Sequence, residues 1–240
     1  MRFLLLILAC ILVHAHANGQ GKIAVHGGAG KVLNAKAVIE TPYNDEKFPV
    51  GPAFGISYLR NSTKQVSFFA KAGFITKGFL RQTAMPDNSY YTKIRINYLY
   101  IAPQVFFNFL AIKSSRLSLT GGFYMAAPLS GKESGIWSSI GGPRSYNSKI
   151  IFGNSKDKST GQVMISNFDF GINSSLIYQR SNFGIMLNWQ GGLRTVNTYI
   201  PYAELNKKYR NNTIEISLFY QFDIGKHKMK KSSITCPPVQ

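Results

Sequence analysis

With 240 residues, 45% of them hydrophobic and 13% aromatic, the chain can bury one large core or two small ones, which excludes a disordered polymer poor in aromatic and β-branched side chains. Its 28 lysines and arginines face only 10 acidic residues, a formal charge of +18. The cations are spread along the whole length without a helix-turn-helix, zinc-finger or RNA-recognition pattern, so they point to anionic membrane lipid rather than to nucleic acid.

Residues 1–17 carry Arg2, an apolar run over residues 3–13 and the triplet Ala15-His16-Ala17, the layout of a cleavable secretory signal peptide. The apolar run is too short to span a bilayer as a helix. Its removal takes Cys10 and leaves Cys236 as the one thiol, so no internal disulfide is expected. The histidines, His14, His16, His26 and His227, show no metal-ligand spacing, and no metal or cofactor is expected. No later stretch is long and apolar enough for a membrane helix. Export without such a helix leaves a secreted protein, a periplasmic one or an outer-membrane barrel. The mean hydropathy of −0.06 does not exclude the last, because a membrane barrel hides its apolar band in alternation.

The first strand is expected over residues 22–33, a Gly-rich run with Ile23, Val25 and Val32. Its Ile23-Ala24-Val25-His26-Gly27-Gly28-Ala29-Gly30 resembles the start of the isoaspartyl peptidase and asparaginase family of N-terminal-nucleophile hydrolases. That family also needs an internal Gly-Thr processing site, and this sequence has none. Glycines that relieve crowding in a strongly bent strand account for the run. The second strand covers residues 50–60, with Phe54, Ile56 and Tyr58 on one face. The third covers residues 64–81, with Val66, Phe68, Ala70, Ala72 and Phe74 opposed to Ser67, Lys71, Gly73 and Lys77.

A fourth strand over residues 90–109 sets an apolar row of Ile94, Ile96, Tyr98 and Tyr100 against Arg95 and Asn97, with Pro103 expected to mark a bulge or the end of regular pairing. The fifth, residues 116–129, opposes Leu117, Leu119, Phe123 and Met125 to Arg116, Ser118, Thr120 and Tyr124. Residues 130–161 form the longest irregular region, broken by an apolar island at Ile150, Ile151 and Phe152.

Residues 167–194 read as a long hairpin, the sixth and seventh strands. Phe168, Phe170, Ile172, Leu176 and Tyr178 alternate with Asp169, Asn173, Ser175 and Gln179; after the polar turn 179–182, Phe183, Ile185, Leu187 and Trp189 alternate with Asn188 and Gln190. An eighth strand over residues 211–224 places Ile214, Ile216, Leu218, Tyr220 and Phe222 against Glu215, Ser217, Gln221 and Asp223. Period two with one apolar face is the strand signature, and arms of about ten residues match the roughly 9–11 that a tilted strand needs to cross a bilayer.

The connections alternate, long after the first, third, fifth and seventh strands and short after the second, fourth and sixth. Such sorting by parity belongs to outer-membrane barrels, with short periplasmic turns and longer outside loops. The expected fold is therefore an all-β, eight-stranded antiparallel up-and-down transmembrane β-barrel with four longer extracellular loops. It occupies residues 18–225, after the signal peptide and before a basic tail, residues 226–240. Aromatic pairs such as Phe54 with Tyr58, Tyr98 with Tyr100 and Phe183 with Trp189 are expected to face lipid. Lys71, Arg95, Arg116, Asp169, Glu215 and Asp223 are expected to form a polar network in the lumen, where buried ions must be paired or hydrated. A soluble lipocalin-like carrier, also eight-stranded, would put apolar side chains there instead.

Mid-chain, residues 96–103 read Ile96-Asn97-Tyr98-Leu99-Tyr100-Ile101-Ala102-Pro103, and the last strand contains Ile216-Ser217-Leu218-Phe219-Tyr220-Gln221-Phe222. Together with the signal peptide and the Gly-rich first strand, this pattern resembles the PorT-like outer-membrane β-barrel proteins of Bacteroidetes-type bacteria. Their middle strand commonly reads Asn-Tyr-Leu-Glu-Ile-Pro; here Tyr100 stands at the Glu position and Ala102 before the proline. The resemblance covers the mature chain and implies fold and location. It carries no catalytic residues, and only some relatives are tied to protein secretion.

Eight strands enclose a lumen that side chains fill, so a general diffusion pore is not expected. No Ser/His/Asp constellation is visible, and the protein is expected not to be an enzyme. A structural or accessory outer-membrane role is expected, through the loops or the periplasmic face; a narrow channel, a ligand-binding barrel or a soluble carrier is the alternative. The expected partners are outer-membrane lipid and a protein met at the loops or tail. Trp137, Tyr146, Ile150, Ile151 and Phe152 are the candidate loop contact, the alternative being that the island extends strand five or six above the membrane as a hairpin; Lys226, Lys228, Lys230 and Lys231 either form a solvated terminus or meet anionic headgroups.

Overall fold

The structure, a computed structural model, describes residues 21–33, 50–60, 65–84, 89–139, 141–153, 164–194, 197–199 and 210–224. The signal-peptide expectation for residues 1–17, most of the connection 33–49 and the basic tail lie outside the described residues.

Among the described residues there are twelve strands in chain order. They are β1 (Gly21–Val32), β2 (Val50–Arg60), β3 (Val66–Ala84), β4 (Ser89–Ile112), β5 (Ser115–Ser139), β6 (Gly142–Lys149), β7 (Ile151–Phe152), β8 (Met164–Ile165), β9 (Asp169–Arg180), β10 (Phe183–Gly192), β11 (Asn197–Tyr199) and β12 (Asn212–Ile224). Eight of them, β1, β2, β3, β4, β5, β9, β10 and β12, pair antiparallel with their neighbours, and β12 closes the ring on β1 from Gly21↔Ile224 to Val32↔Thr213. This is a closed eight-stranded up-and-down barrel.

One end is built from tight turns. Lys113 and Ser114 join β4 to β5, and Ser181 and Asn182 join β9 to β10. Lys113 and Ser181 each take a left-handed φ, 51° and 55°, which such short connections demand. At the other end β3, β4 and β5 run on beyond the ring, paired as far as Ala84↔Ser89 and Ser89↔Ser138. There β5 exchanges partners. It pairs with β9 up to Ala126↔Asp169, and with β6 from Lys132↔Lys149 to Ser139↔Gly142. Within the region expected to be irregular after residue 129, residues 132–139 and 142–149 thus pair as an extended hairpin, because β4 continues to offer β5 a ladder of backbone groups.

The two faces of the wall differ in kind. Outward rows hold Phe54, Phe68, Val105, Phe123, Leu176, Leu187, Trp189, Ile216 and Leu218, all large and exposed. Phe54 stacks on Phe74 at 4.9 Å, and Tyr220 lies edge-on to Phe183 and Phe222, both at 4.7 Å. Inward rows bury Lys71, Lys77, Gln104, Asp169, Asn173, Asn188, Gln190 and Glu215. A Cβ on Gly28 would collide with the Ile216 carbonyl, so the tight approach of β1 to β12 requires glycine there.

The face of β4 corrects the sequence reading. Ile94, Ile96, Tyr98 and Tyr100 point inward and are at most 5% exposed, while Arg95 points outward and is exposed. Cross-strand partners share a face, and β3 fixes the choice: Lys71 pairs with Ala102 and Lys77 with Ile96. Once both lysines enter the lumen, the even-numbered residues of β4 follow. At Pro103 the β4–β5 ladder lapses for two residues, between Ile101↔Met125 and Gln104↔Gly122, without a change of register. The register shifts fall at Asn97/Tyr98 and Asn108/Leu110 instead.

Candidate functional site

Period-two alternation aims one acid from β12 and one from β9 at lysines from β3, and these form two charged nodes inside the barrel. In the first, Glu215 is fully enclosed. Its Oε1 accepts a hydrogen bond from Ser217 Oγ at 2.5 Å and lies 3.7 Å from His26 Nδ1; its Oε2 accepts one from Asn188 Nδ2 at 3.0 Å and lies 3.6 Å from Lys71 Nζ. Asn188 Oδ1 in turn accepts from Asn173 Nδ2 at 2.9 Å and Ser175 Oγ at 2.8 Å, and Gln104 Nε2 donates to Asn173 Oδ1.

The second node lies nearer the loop end. Asp169 Oδ2 accepts from Tyr124 at 3.1 Å and from Asn211 at 2.8 Å, and it lies 3.5 Å from Lys77 Nζ. Lys77 Nζ sits over the rings of Tyr124 and Tyr98, 4.9 and 5.3 Å from their centroids, whereas Lys71 has one ring, Tyr100, at 5.6 Å. With histidine neutral, the two lysines balance the two acids. Such an interior is tolerable because each ion has both an opposite charge and polar or aromatic neighbours.

Apolar layers seal both nodes. Towards the turns, Leu59, Phe69, Phe106, Ile177 and Met186 pack with Phe219 across the lumen. A cavity of about 30 Å³ among these residues also touches Lys22, Gln179 and Gln221, room for at least one water. Towards the loops, Ile75, Ile94, Ile96, Ile150 and Ile165 close over the tyrosines, with Phe152 against them.

Of the residues expected in a lumen network, Lys71, Asp169 and Glu215 are buried in these nodes. Arg116 lies on the inward parity but at the turn end, opposite Gln179, half-buried. Asp223 also sits at that rim, exposed, 3.4 Å from Lys22. Arg95 belongs to the outer surface. Sequence reasoning missed His26, Tyr98 and Tyr100 as lumen groups, whereas Tyr124 lies on the inward face where its parity with Arg116 and Thr120 put it. The parity that puts Ala24 and His26 on one face of β1 was the available signal for the histidine.

The expected loop contact divides. Ile150 is 6% exposed and plugs the lumen mouth, where the isoleucines of β3 and β4 need an apolar cover, so it is not a water-facing contact. A Cβ on Gly131 would meet Ile150 at 2.9 Å and Phe152 at 3.0 Å, and glycine therefore lets the cap close. Ile151 is half-buried. Tyr146 is exposed, and its hydroxyl donates to Glu133 at 3.4 Å beside Ser148, which donates at 3.2 Å. Burial raises the Glu133 pKa above its ordinary value, and these two hydrogen bonds oppose the rise. Trp137 pairs in register with Arg144; its side chain lies outside the described residues.

No protein-family model matches the chain, and no curated protein sequence does. Among solved structures the chain is similar to Ail, the attachment invasion locus protein of Yersinia pestis, at 12% identity over 85% of this chain and 99% of that one, with a TM-score of 0.35. It is similar to Neisserial surface protein A at 10% identity over 84% and 95%, TM-score 0.40. For the outer membrane protein OprG of Pseudomonas aeruginosa the values are 9%, 85% and 97%, and 0.46. Function does not transfer at such values, and the two faces of the barrel itself bear the functional reading.

Proposed function

We propose that this chain is a non-enzymatic integral outer-membrane β-barrel protein with a structural or accessory role. One observation carries the reading: a closed ring whose outer face is apolar and whose inner face is charged. A soluble carrier needs the reverse, because water would meet Phe123, Leu218 and Phe183, each 66% exposed, while Lys71 and Glu215 sat in a dry interior. Closure also removes every sheet edge from the spanning part, which lipid requires.

In this proposal the turn end faces the periplasm and the loop end faces outwards, with export directed by residues 1–17 and the basic tail left in the periplasm. The sealed lumen favours a scaffold over a narrow channel. His26, the one histidine among the described residues, is enclosed beside Glu215 and serves the ion network rather than catalysis. The resemblance of residues 96–103 and 216–222 supports a PorT-like relationship and, with it, a secretion- or envelope-associated role. A protein partner would meet the loop-end hairpin around Tyr146 or the periplasmic tail.

Fractionation tests the reading. The protein is expected to stay with outer membranes through a carbonate wash and to migrate in a heat-modifiable way in detergent. Recovery in the soluble periplasmic fraction would overturn it.

A further inference from the structure

Above the apolar band on one side of the barrel, the outward face changes character in two steps. On β4 the outward parity runs Phe109, Phe107, Val105, Pro103, the covered Ile101 and Leu99 towards the loop end, then Asn97, Arg95 and Lys93. Asn97 begins the change. Thr76 Oγ1 donates to Asn97 Oδ1 at 2.8 Å, and Asn97 Nδ2 donates to Ser130 Oγ at 2.9 Å, a polar belt across β3, β4 and β5. The next outward rung pairs Arg95 with Lys132, and Lys132 with Lys149. All three are exposed. Cross-strand neighbours stand about 5 Å apart, so three cations share one line.

Their own strands offer them no acid. β4 and β6 contain none, and the one acid of β5, Glu133, lies on the other parity with Tyr146 and Ser148. Among the described residues no acidic side chain forms an ion pair with Arg95, Lys132 or Lys149. Like charges directly opposite one another weaken a sheet, and a bound anion would relieve that repulsion. Four residues separate Arg95 from Leu99, about 13 Å along a strand and roughly 10 Å along the axis of a tilted one. That is the depth of headgroups. Another exposed cation towards the loop end is Lys31 on β1, between Val50 and Ile214.

We propose that Arg95, Lys132 and Lys149 form a clamp for the phosphate of an outer-leaflet lipid headgroup, whose acyl chains lie along the apolar rows of β4 and β5. Guanidinium and ammonium groups supply charge-assisted hydrogen bonds to phosphate oxygens, and the Asn97 belt separates them from the hydrocarbon. The clamp rests on the membrane reading above.

The test compares the wild-type chain with a triple variant, Arg95→Ser, Lys132→Ser and Lys149→Ser, in nanodiscs of phosphatidylcholine with or without lipid A. All three positions are exposed strand residues, and the variant is expected to insert into phosphatidylcholine as well as the wild type does. Lipid A is expected to raise the thermal transition of the wild type, and its apparent affinity is expected to fall on the order of a hundredfold in the variant. The single variant Lys31→Ser should respond like the wild type. An equal response from the triple variant would overturn the clamp. A matching rise on adding inorganic phosphate to plain phosphatidylcholine discs would overturn the lipid assignment. Failure of the wild type to enter the neutral discs would instead overturn the membrane reading.

Discussion

The two charged nodes of the lumen use the same ingredients to different effect. Around Glu215 both carboxylate oxygens are engaged, by Ser217 and His26 on one side and Asn188 and Lys71 on the other. Around Asp169 every contact converges on Oδ2, and Oδ1 has no partner among the described residues. The cations differ in the opposite sense, since Lys77 is cushioned by two rings and Lys71 by one. A buried ion tolerates the loss of its partner in proportion to what else surrounds it. Glu215 therefore ties four strands together through dependence on its own charge, whereas the Asp169 node spreads its stability over neighbouring rings.

Glu215→Leu should do the greatest damage. It leaves Lys71 without an acid and Asn188 and Ser217 without their acceptor, a loss of about 3–5 kcal/mol. Urea unfolding of the refolded barrel, followed by tryptophan fluorescence, measures it. The double variant Lys71→Met with Glu215→Leu should recover most of the loss, because an apolar pair of similar volume replaces a desolvated ion pair. Asp169→Leu should cost less, about 2–3 kcal/mol, since the rings under Lys77 offset part of the lost charge. Equal losses at the two acids would break the contrast.

Ile150→Ala should cost about 2 kcal/mol by opening a cavity above the Asp169 node. It should also leave planar bilayers without added conductance, because the Phe69, Phe106 and Phe219 layer still closes the turn end. Steady channel currents from this variant would show that Ile150 alone seals the lumen. Ser181→Gly, remote from both nodes, should have the smallest effect, a gain of about 0.5 kcal/mol as its left-handed φ is relieved. A loss at this position would mean that the Ser181 side chain, and not only its backbone carbonyl accepting from Gln179 at 2.7 Å, holds the turn.

The hairpin of β9 and β10 was legible residue by residue. Asp169, Asn173, Ser175 and Gln179 on one parity and Phe170, Ile172, Leu176 and Tyr178 on the other leave one way to place the strand between water-like and oil-like surroundings. In β4 both parities are largely apolar, and tyrosine suits either a lipid interface or a polar lumen. Its orientation could be read only through register with β3. The hairpin of β5 and β6 was legible only as one of two alternatives for another reason: serine, glycine and asparagine carry little strand propensity, and their pairing is decided by the neighbouring ladder.

By itself the sequence determined eight strands, their order and, in all but β4, the chemistry of each face, because period-two alternation is local and survives without knowledge of any neighbour. Only the tertiary structure decided which acid meets which lysine, that Arg95 faces out to stand beside Lys132 and Lys149, and that Ile150 turns in as a cap. Those outcomes depend on registers between strands far apart in the chain, where a shift of one residue reverses every side chain.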